Sequence, residues 1–157
     1  MSLRVLDSMG LPTMSREAID KAHALHRAME ALPQVDIEIT HSLHDGVYTR
    51  TAFVPAGVMV MGVLIKIPTT LIVSGHAKVF IGDDTVDVQG YRVIAGAPGR
   101  KQAALALEDT HFTMLFATSA STIEEAENEF TDEAEQLTTR QEFNKLNTGV
   151  SPCLELQ

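Results

Sequence analysis

The sequence predicts a mainly β protein, an antiparallel sandwich or barrel with a helix at each end. Between residues 35 and 118, about eight short apolar runs recur with Gly or Pro between them and no helical period interleaved. The period is helical before this region and becomes helical again at Ser121. The stretch TAFVPAGVMVMGVLIKI, residues 51–67, carries no charge from Ala52 to Ile65, and Pro55, Gly57 and Gly62 interrupt any helix in it. It reads as two buried strands joined at a bend, and the remaining elements are arranged around it.

Residues 1–14 contain Gly10 and Pro12 with no sustained period, and are expected to form a loose arm that packs on a neighbouring subunit. Ser15 is an N-cap for a helix over residues 15–32, whose apolar positions Ala18, Ile19, Ala22, Leu25, Met29 and Leu32 share one face until Pro33 stops it. Val35, Ile37 and Ile39 then alternate with Asp36, Glu38 and Thr40, the period of a half-buried strand. Asp45-Gly46 supplies a hairpin turn, and residues 47–54 return as the second strand. Beyond the central stretch, strands are expected at 69–73, 77–81, 85–88, 92–95, 103–107 and 111–118. They are punctuated by Gly75, Gly82, Gly90, the Gly96-Ala97-Pro98-Gly99 turn and the polar Glu108-Asp109-Thr110 corner. Ser121 with Glu124 three residues on resembles a capping box opening an acidic helix over residues 121–146. Ile123, Ala126, Phe130, Ala134, Leu137 and Phe143 form its stripe, with the acids on the surface. Residues 147–157 read as a tail.

At 157 residues the chain is expected to make one domain, burying roughly 70% of its unfolded surface. The 21 acidic against 12 basic residues give a net charge of -9, which repels a phosphate backbone and argues against nucleic acid. Cys153 has no second cysteine to pair with, which suits a reducing compartment. Residues 1–14 lack the pattern of a signal peptide and the 52–65 run is too short and broken to span a bilayer. The expectation is a soluble, cytoplasmic protein without a membrane partner.

The pieces from Val54 to Gln102 resemble the cupins, or conserved-barrel proteins. In that family a block G-x5-H-x-H-x3/4-E-x6-G and a second, G-x5-P-x-G-x2-H-x3-N, bracket a turn and bind a divalent metal through His, His, Glu and His. Gly57 can open the first block and Gly75 close it; Gly90 can open the second, with Pro98-Gly99 as its turn. LPQVDIEITH with GVYTRTAFVPAG, and PGRKQAA with EDTHF, are similar to small cupin-like proteins carried by bacteriophages and prophages, over roughly residues 32–118. The resemblance implies a cupin-like jelly-roll β-barrel and a phage or prophage setting. It does not carry the metal over. The ligand positions fall on Val63, Leu64, Ile65 and Ile67, then Pro68 or Thr69, and finally Gln102. Aliphatic side chains offer no lone pair, so the interior is expected to be dry or to hold a neutral ligand.

His23 and His26, beside Asp20 and Glu30, are three apart on the first helix, and a solvated flank explains them. His41 lies on the hairpin strand on the face of Ile39, where hairpin hydrogen bonding competes with a ligand role. His76 and His111 each fall in an expected barrel strand. With Gln102 and a carboxylate such as Glu108 they would make an unorthodox metal or acid–base site. Arg50 and Arg92 are ligand-binding candidates, and with Lys66, Arg100 and Lys101 they could hold a carboxylate or phosphate where they face the barrel mouth; salt bridges to the acidic helix are the plainer account. Met59 and Met61 alternate with Val58 and Val60, so one pair points away from the core, toward a subunit contact.

The leading reading is a metal-free, non-catalytic assembly or binding module, a homodimer or higher homo-oligomer with possible phage protein partners. Two others remain open: a divalent-metal enzyme of the isomerase or oxygenase kind using His76, Gln102 and His111, and a sensor whose aliphatic barrel takes an apolar molecule.

Overall fold

The structure is a computed structural model; it describes the backbone of residues 3–5 and the whole of residues 10–140. Along the chain these form β1 (Leu3–Val5), α1 (Arg16–Glu30), β2 (Glu38–His44), β3 (Val47–Val54), β4 (Met59–Met61), β5 (Thr69–Ile81), β6 (Asp84–Gly96), β7 (Ala103–Ala106), β8 (Thr110–Ala117) and α2 (Ile123–Phe130). A 3-10 turn at Ala134–Gln136 follows. The fold is mainly β. One curled sheet runs β1-β6-β5-β8-β3-β2, with β7 also on β5 and β4 on β7; β1 lies parallel to β6 and the other pairings are antiparallel.

The curl follows from two glycines. Strand β5 pairs with β8 over Thr70–Ser74 and with β7 over Ala77–Phe80, so it belongs to both sides of the sheet. Gly75 lies between these halves and faces Gly90 of β6 in register. Both adopt positive φ, 141° and 77°, a region that side chains with a Cβ rarely enter, so the β5–β6 ribbon bends there and folds one half of the sheet over the other. The jelly-roll arrangement expected for residues 35–118 is therefore present, but the pairs expected at 69–73 with 77–81 and at 85–88 with 92–95 are single long strands. Each glycine bends its strand without ending it.

The central stretch departs from expectation in another way. Within residues 58–67 a regular strand covers Met59–Met61, and the rest follows the chain at 100–102 at irregular spacing. Gly62 N donates to Gln102 O at 2.9 Å and Ile65 N to Arg100 O at 2.8 Å. At the N-terminal end the expectation of an arm on a neighbouring subunit is corrected for its described part. Leu11 N donates to Ala95 O and Ala97 N to Leu11 O, and Leu11 and Met14 are buried against their own chain.

Helix α1 starts from the Ser15 cap as expected. No α1 residue is fully buried, and Leu25 and Leu32 of the expected stripe are 40% and 61% exposed. The half-buried face carries Ala18, Ile19, Ala22, His23, His26 and Met29, so it is turned toward the two histidines. The acidic helix is corrected at both ends. Its cap is Thr122, whose Oγ accepts from Glu125 N while Glu125 Oε2 accepts from Ser121 N, one residue later than expected. It ends at Phe130, because Thr131 is extended and its Oγ donates to Leu64 O at 2.7 Å, while Lys66 N donates to Phe130 O. Ala126, Phe130, Ala134 and Leu137 of its stripe are nonetheless buried. Phe143, the rest of the expected helix after residue 140 and the expected tail at 147–157 lie outside the described residues.

Two apolar clusters result. Tyr48, Met114 and Phe116 meet Ala126, Phe130, Ala134 and Leu137, and Val73, Val79, Val86, Val88, Ile94 and Ala104 form the second with Leu11. Phe130 stacks on Tyr48 with ring centroids 6.1 Å apart. No helix among the described residues is long and apolar enough to cross a membrane.

Candidate functional site

The two clusters do not fill the space between them. A cavity of about 760 Å³ lies there, lined by Ala52 of β3, Leu71 of β5, Phe112 and Met114 of β8 on one side, and by Val60 of β4 and Ala104 of β7 on the other. Inner-face alternation puts these apolar residues inward, and no Trp is available to close the gap. Exposed Leu32, Val35 and Met59 also line it, so an apolar rim opens it to solvent.

One wall carries the positions that the cupin resemblance sets aside for metal ligands, together with Arg100. Val63, Ile65, Thr69 and Gln102, all singled out as ligand positions, line the cavity, and so does Arg100. Arg100 is 2% exposed. Its Nε donates to Ala97 O at 2.5 Å and its Nη2 to Thr69 Oγ1 at 2.6 Å; among the described residues no carboxylate pairs with it. Its guanidinium lies over Gly96, where a Cβ would come 2.4 Å from Cζ. Burial with no compensating charge lowers the Arg100 pKa to about 10, so it still carries its proton at neutral pH. Gln102 Nε2 is buried and has no hydrogen-bond partner. The interior is thus not wholly apolar, as expected, but carries a bare cation and a free amide donor.

The other cations answer to the acidic segment. Arg50 Nη1 meets Glu127 Oε2 at 3.4 Å, Lys66 meets Asp132 at 2.5 Å, and Lys101 Nζ meets Glu133 Oε2 at 2.9 Å. Glu127, which also takes Arg140 Nε at 3.1 Å, is 3% exposed, and Lys101 is 0% exposed. These two carboxylates correct the expectation that the acids lie on the surface. Glu133 collects Lys101 Nζ, Leu64 N at 2.8 Å and His23 Nε2. Burial pushes its carboxyl up, but the bonds from His23, Leu64 and Lys101 prevail and bring it down to about 2. His23 is therefore no solvated flank; it pins α1 to the segment after α2. His26 lines the cavity, and burial, assisted by Lys101, lowers its pKa.

The remaining candidates are dispersed. His76 sits beside β7 with its Nε2 on Asp87 Oδ1 at 2.8 Å. His111 is exposed and packs on Phe53 with ring centroids 4.9 Å apart, on the sheet face opposite Phe112 and Met114. Gln102 lines the interior, so the grouping of His76, Gln102 and His111 is not formed: successive β8 residues face opposite ways, and Phe112 takes the inward place. His41 does point inward. Its Nδ1 is 2.9 Å from Tyr48 Oη, its Nε2 is buried without a partner, and burial together with Arg50 lowers its pKa. Arg50 lines the cavity; Arg92 is exposed and reaches Tyr91 O. Met59 is 37% exposed at the rim.

The cupin resemblance implies a divalent metal, and the residues present do not fit one. Val63 and Ile65 have no donor, the Thr69 hydroxyl is taken by Arg100, and the guanidinium on the same wall repels a dication. Among the described residues no three His, Cys, Asp or Glu side chains are grouped to hold a metal ion.

Sequence reasoning paired Lys101 with the acidic segment, as found, but passed over Glu127, Glu133 and the inward turn of His23. Part of the signal was available. Glu127 follows Ile123 by four and precedes Phe130 by three, and His23 follows Ile19 by four, so both lie on the apolar stripes of their helices. Nothing local marks Glu133 as the partner of Lys101, 32 residues away.

No family model matches the chain, and no curated protein does. Among solved structures it is similar to a cupin superfamily protein from Desulfitobacterium hafniense, at 13% identity and TM-score 0.44, covering 73% of this chain and 100% of that one. It is also similar to a cupin-2 domain protein from Shewanella frigidimarina, at 11% identity and TM-score 0.41, covering 59% of this chain and 91% of that one. A third is salicylate 1,2-dioxygenase from Pseudoaminobacter salicylatoxidans in an adduct with gentisate, at 12% identity and TM-score 0.49, covering 74% of this chain and 35% of that one.

Proposed function

We propose that this protein is a cupin-like barrel that binds a small organic molecule and works without a resident divalent metal. Of the readings open at the level of sequence, an assembly module requires nothing inside the sheet, and a metal enzyme requires donors that the inner wall does not supply. The observation that carries the binding reading is the cavity of about 760 Å³ between two well-packed clusters. Binding pockets for small molecules range over about 300–1,000 Å³ and are mostly apolar with a few placed polar groups, as here. A core that had only to be stable would close such a gap, since unfilled space forfeits packing contacts.

Nile red, a neutral dye that brightens in apolar surroundings, tests this directly. The protein is expected to bind one equivalent with a blue-shifted emission, and Ala104→Phe, which fills the inner wall, is expected to reduce that binding about tenfold or more. Unchanged dye binding by a folded Ala104→Phe variant would place the dye on the outside and remove the basis of the proposal.

A further inference from the structure

We infer that the cavity takes an amphipathic monocarboxylate, with its carboxylate at Arg100 and Gln102 and its apolar body toward the rim. This rests on the binding reading above and adds the chemical class. The inner wall holds two donors that lack a charged acceptor or any acceptor, Arg100 and Gln102. Arg100 is a buried guanidinium whose two hydrogen bonds go to a carbonyl and a hydroxyl, neither of them charged, which leaves its Nη1 unbonded. Gln102 Nε2 is a buried amide donor with no partner at all.

Both side chains line the same cavity. A buried cation and a buried free N–H are each costly, and a carboxylate, with two acceptor oxygens and a negative charge, is the group whose chemistry answers both. The other charged groups on the wall do not compete for that role. Arg50 is held by Glu127, which Arg140 also engages. His26 has its pKa lowered by burial, and Glu30 is an exposed acid on α1. An anion therefore has one place to go.

The rest of the lining decides the body of the ligand. Away from Arg100 the wall is Leu71, Val79, Phe112 and Met114, and the rim is exposed Leu32, Val35 and Met59. Such a lining favours an alkyl or aryl chain over a sugar or a second charge. A phosphate monoester, with its larger charge, would need more donors than the wall offers.

Titration calorimetry on the full chain with octanoate, 1-octanol and octylammonium separates the two levels of the argument. Octanoate is expected to bind about tenfold or more tightly than octanol, and octylammonium more weakly than either. Arg100→Gln is expected to bring octanoate down to the octanol level while leaving octanol unchanged. If that variant does not fold, the comparison of the three ligands on the unaltered protein still decides. Octanol binding as well as octanoate overturns the carboxylate assignment and leaves the cavity reading standing; failure of all three to bind overturns both.

Discussion

Glu133→Leu is expected to cost about 3–5 kcal/mol in urea unfolding, among the largest effects of any single substitution in this chain. The carboxylate is the partner of the Lys101 ammonium, which is 0% exposed and whose other bond goes to the Gly62 carbonyl. Removing the acid strands a charge with no route to water. The double variant Glu133→Leu with Lys101→Met is expected to recover most of the loss, because an apolar pair of similar volume avoids the desolvation of both ions. Additive losses in the double variant would show that the two residues act separately.

The same carboxylate makes stability depend on acid. Its pKa falls from the usual 4.5 to about 2 in the folded chain, so the folded state holds fewer protons than the unfolded one between these values. The associated stability, roughly 3 kcal/mol, is complete above pH of about 4.5 and is lost as the pH falls toward 2. Glu133→Leu should flatten that part of the profile.

Gly75→Ala is expected to destabilise by about 3 kcal/mol or more, and Gly90→Ala by only about 1 kcal/mol. The two glycines face each other in the register of β5 and β6 and both have positive φ. Their surroundings differ. A Cβ on Gly75 would lie 2.4 Å from Thr110 Oγ1 and 2.8 Å from Asp109 O, atoms held in the β7–β8 corner by the bonds of Thr110 to His76. A Cβ on Gly90 would meet nothing within 4 Å. Thermal or urea unfolding of both variants checks the contrast; equal losses would mean that the close approach of the corner does not shape the bend.

Most of the fold was legible because its signals are local. The Asp45-Gly46 turn and the Gly96–Gly99 turn each state their own geometry, whereas the strand expected from Val35 begins only at Glu38, with Val35 54% exposed. The errors came where one local signal had two physical outcomes. A glycine with positive φ ends a strand or bends it, and pairing with β7 and β8 decided for the bend at Gly75. Helical spacing continued past Phe130, but hydrogen bonds of Phe130 O and Thr131 Oγ1 with the 64–66 segment drew the chain out of the helix.

The site was legible in a negative sense. The ligand positions of a metal-binding cupin were placed on the sequence, and Val63, Ile65, Thr69 and Gln102 do line the interior. What the positions would do together was not readable. Arg50, Lys66 and Lys101 found acids of the C-terminal segment as expected, but that Arg100 would turn inward unpaired depends on contacts across tens of residues.

The central claim is that the barrel interior is built for an organic molecule beside a buried cation and against a divalent ion. Calorimetric titration of the full chain with Mn²⁺, Fe²⁺, Ni²⁺ and Zn²⁺ tests it most directly. No stoichiometric binding sensitive to residue 102 is expected for any of the four. One equivalent of metal bound by the unaltered protein and lost in Gln102→Ala would contradict the account.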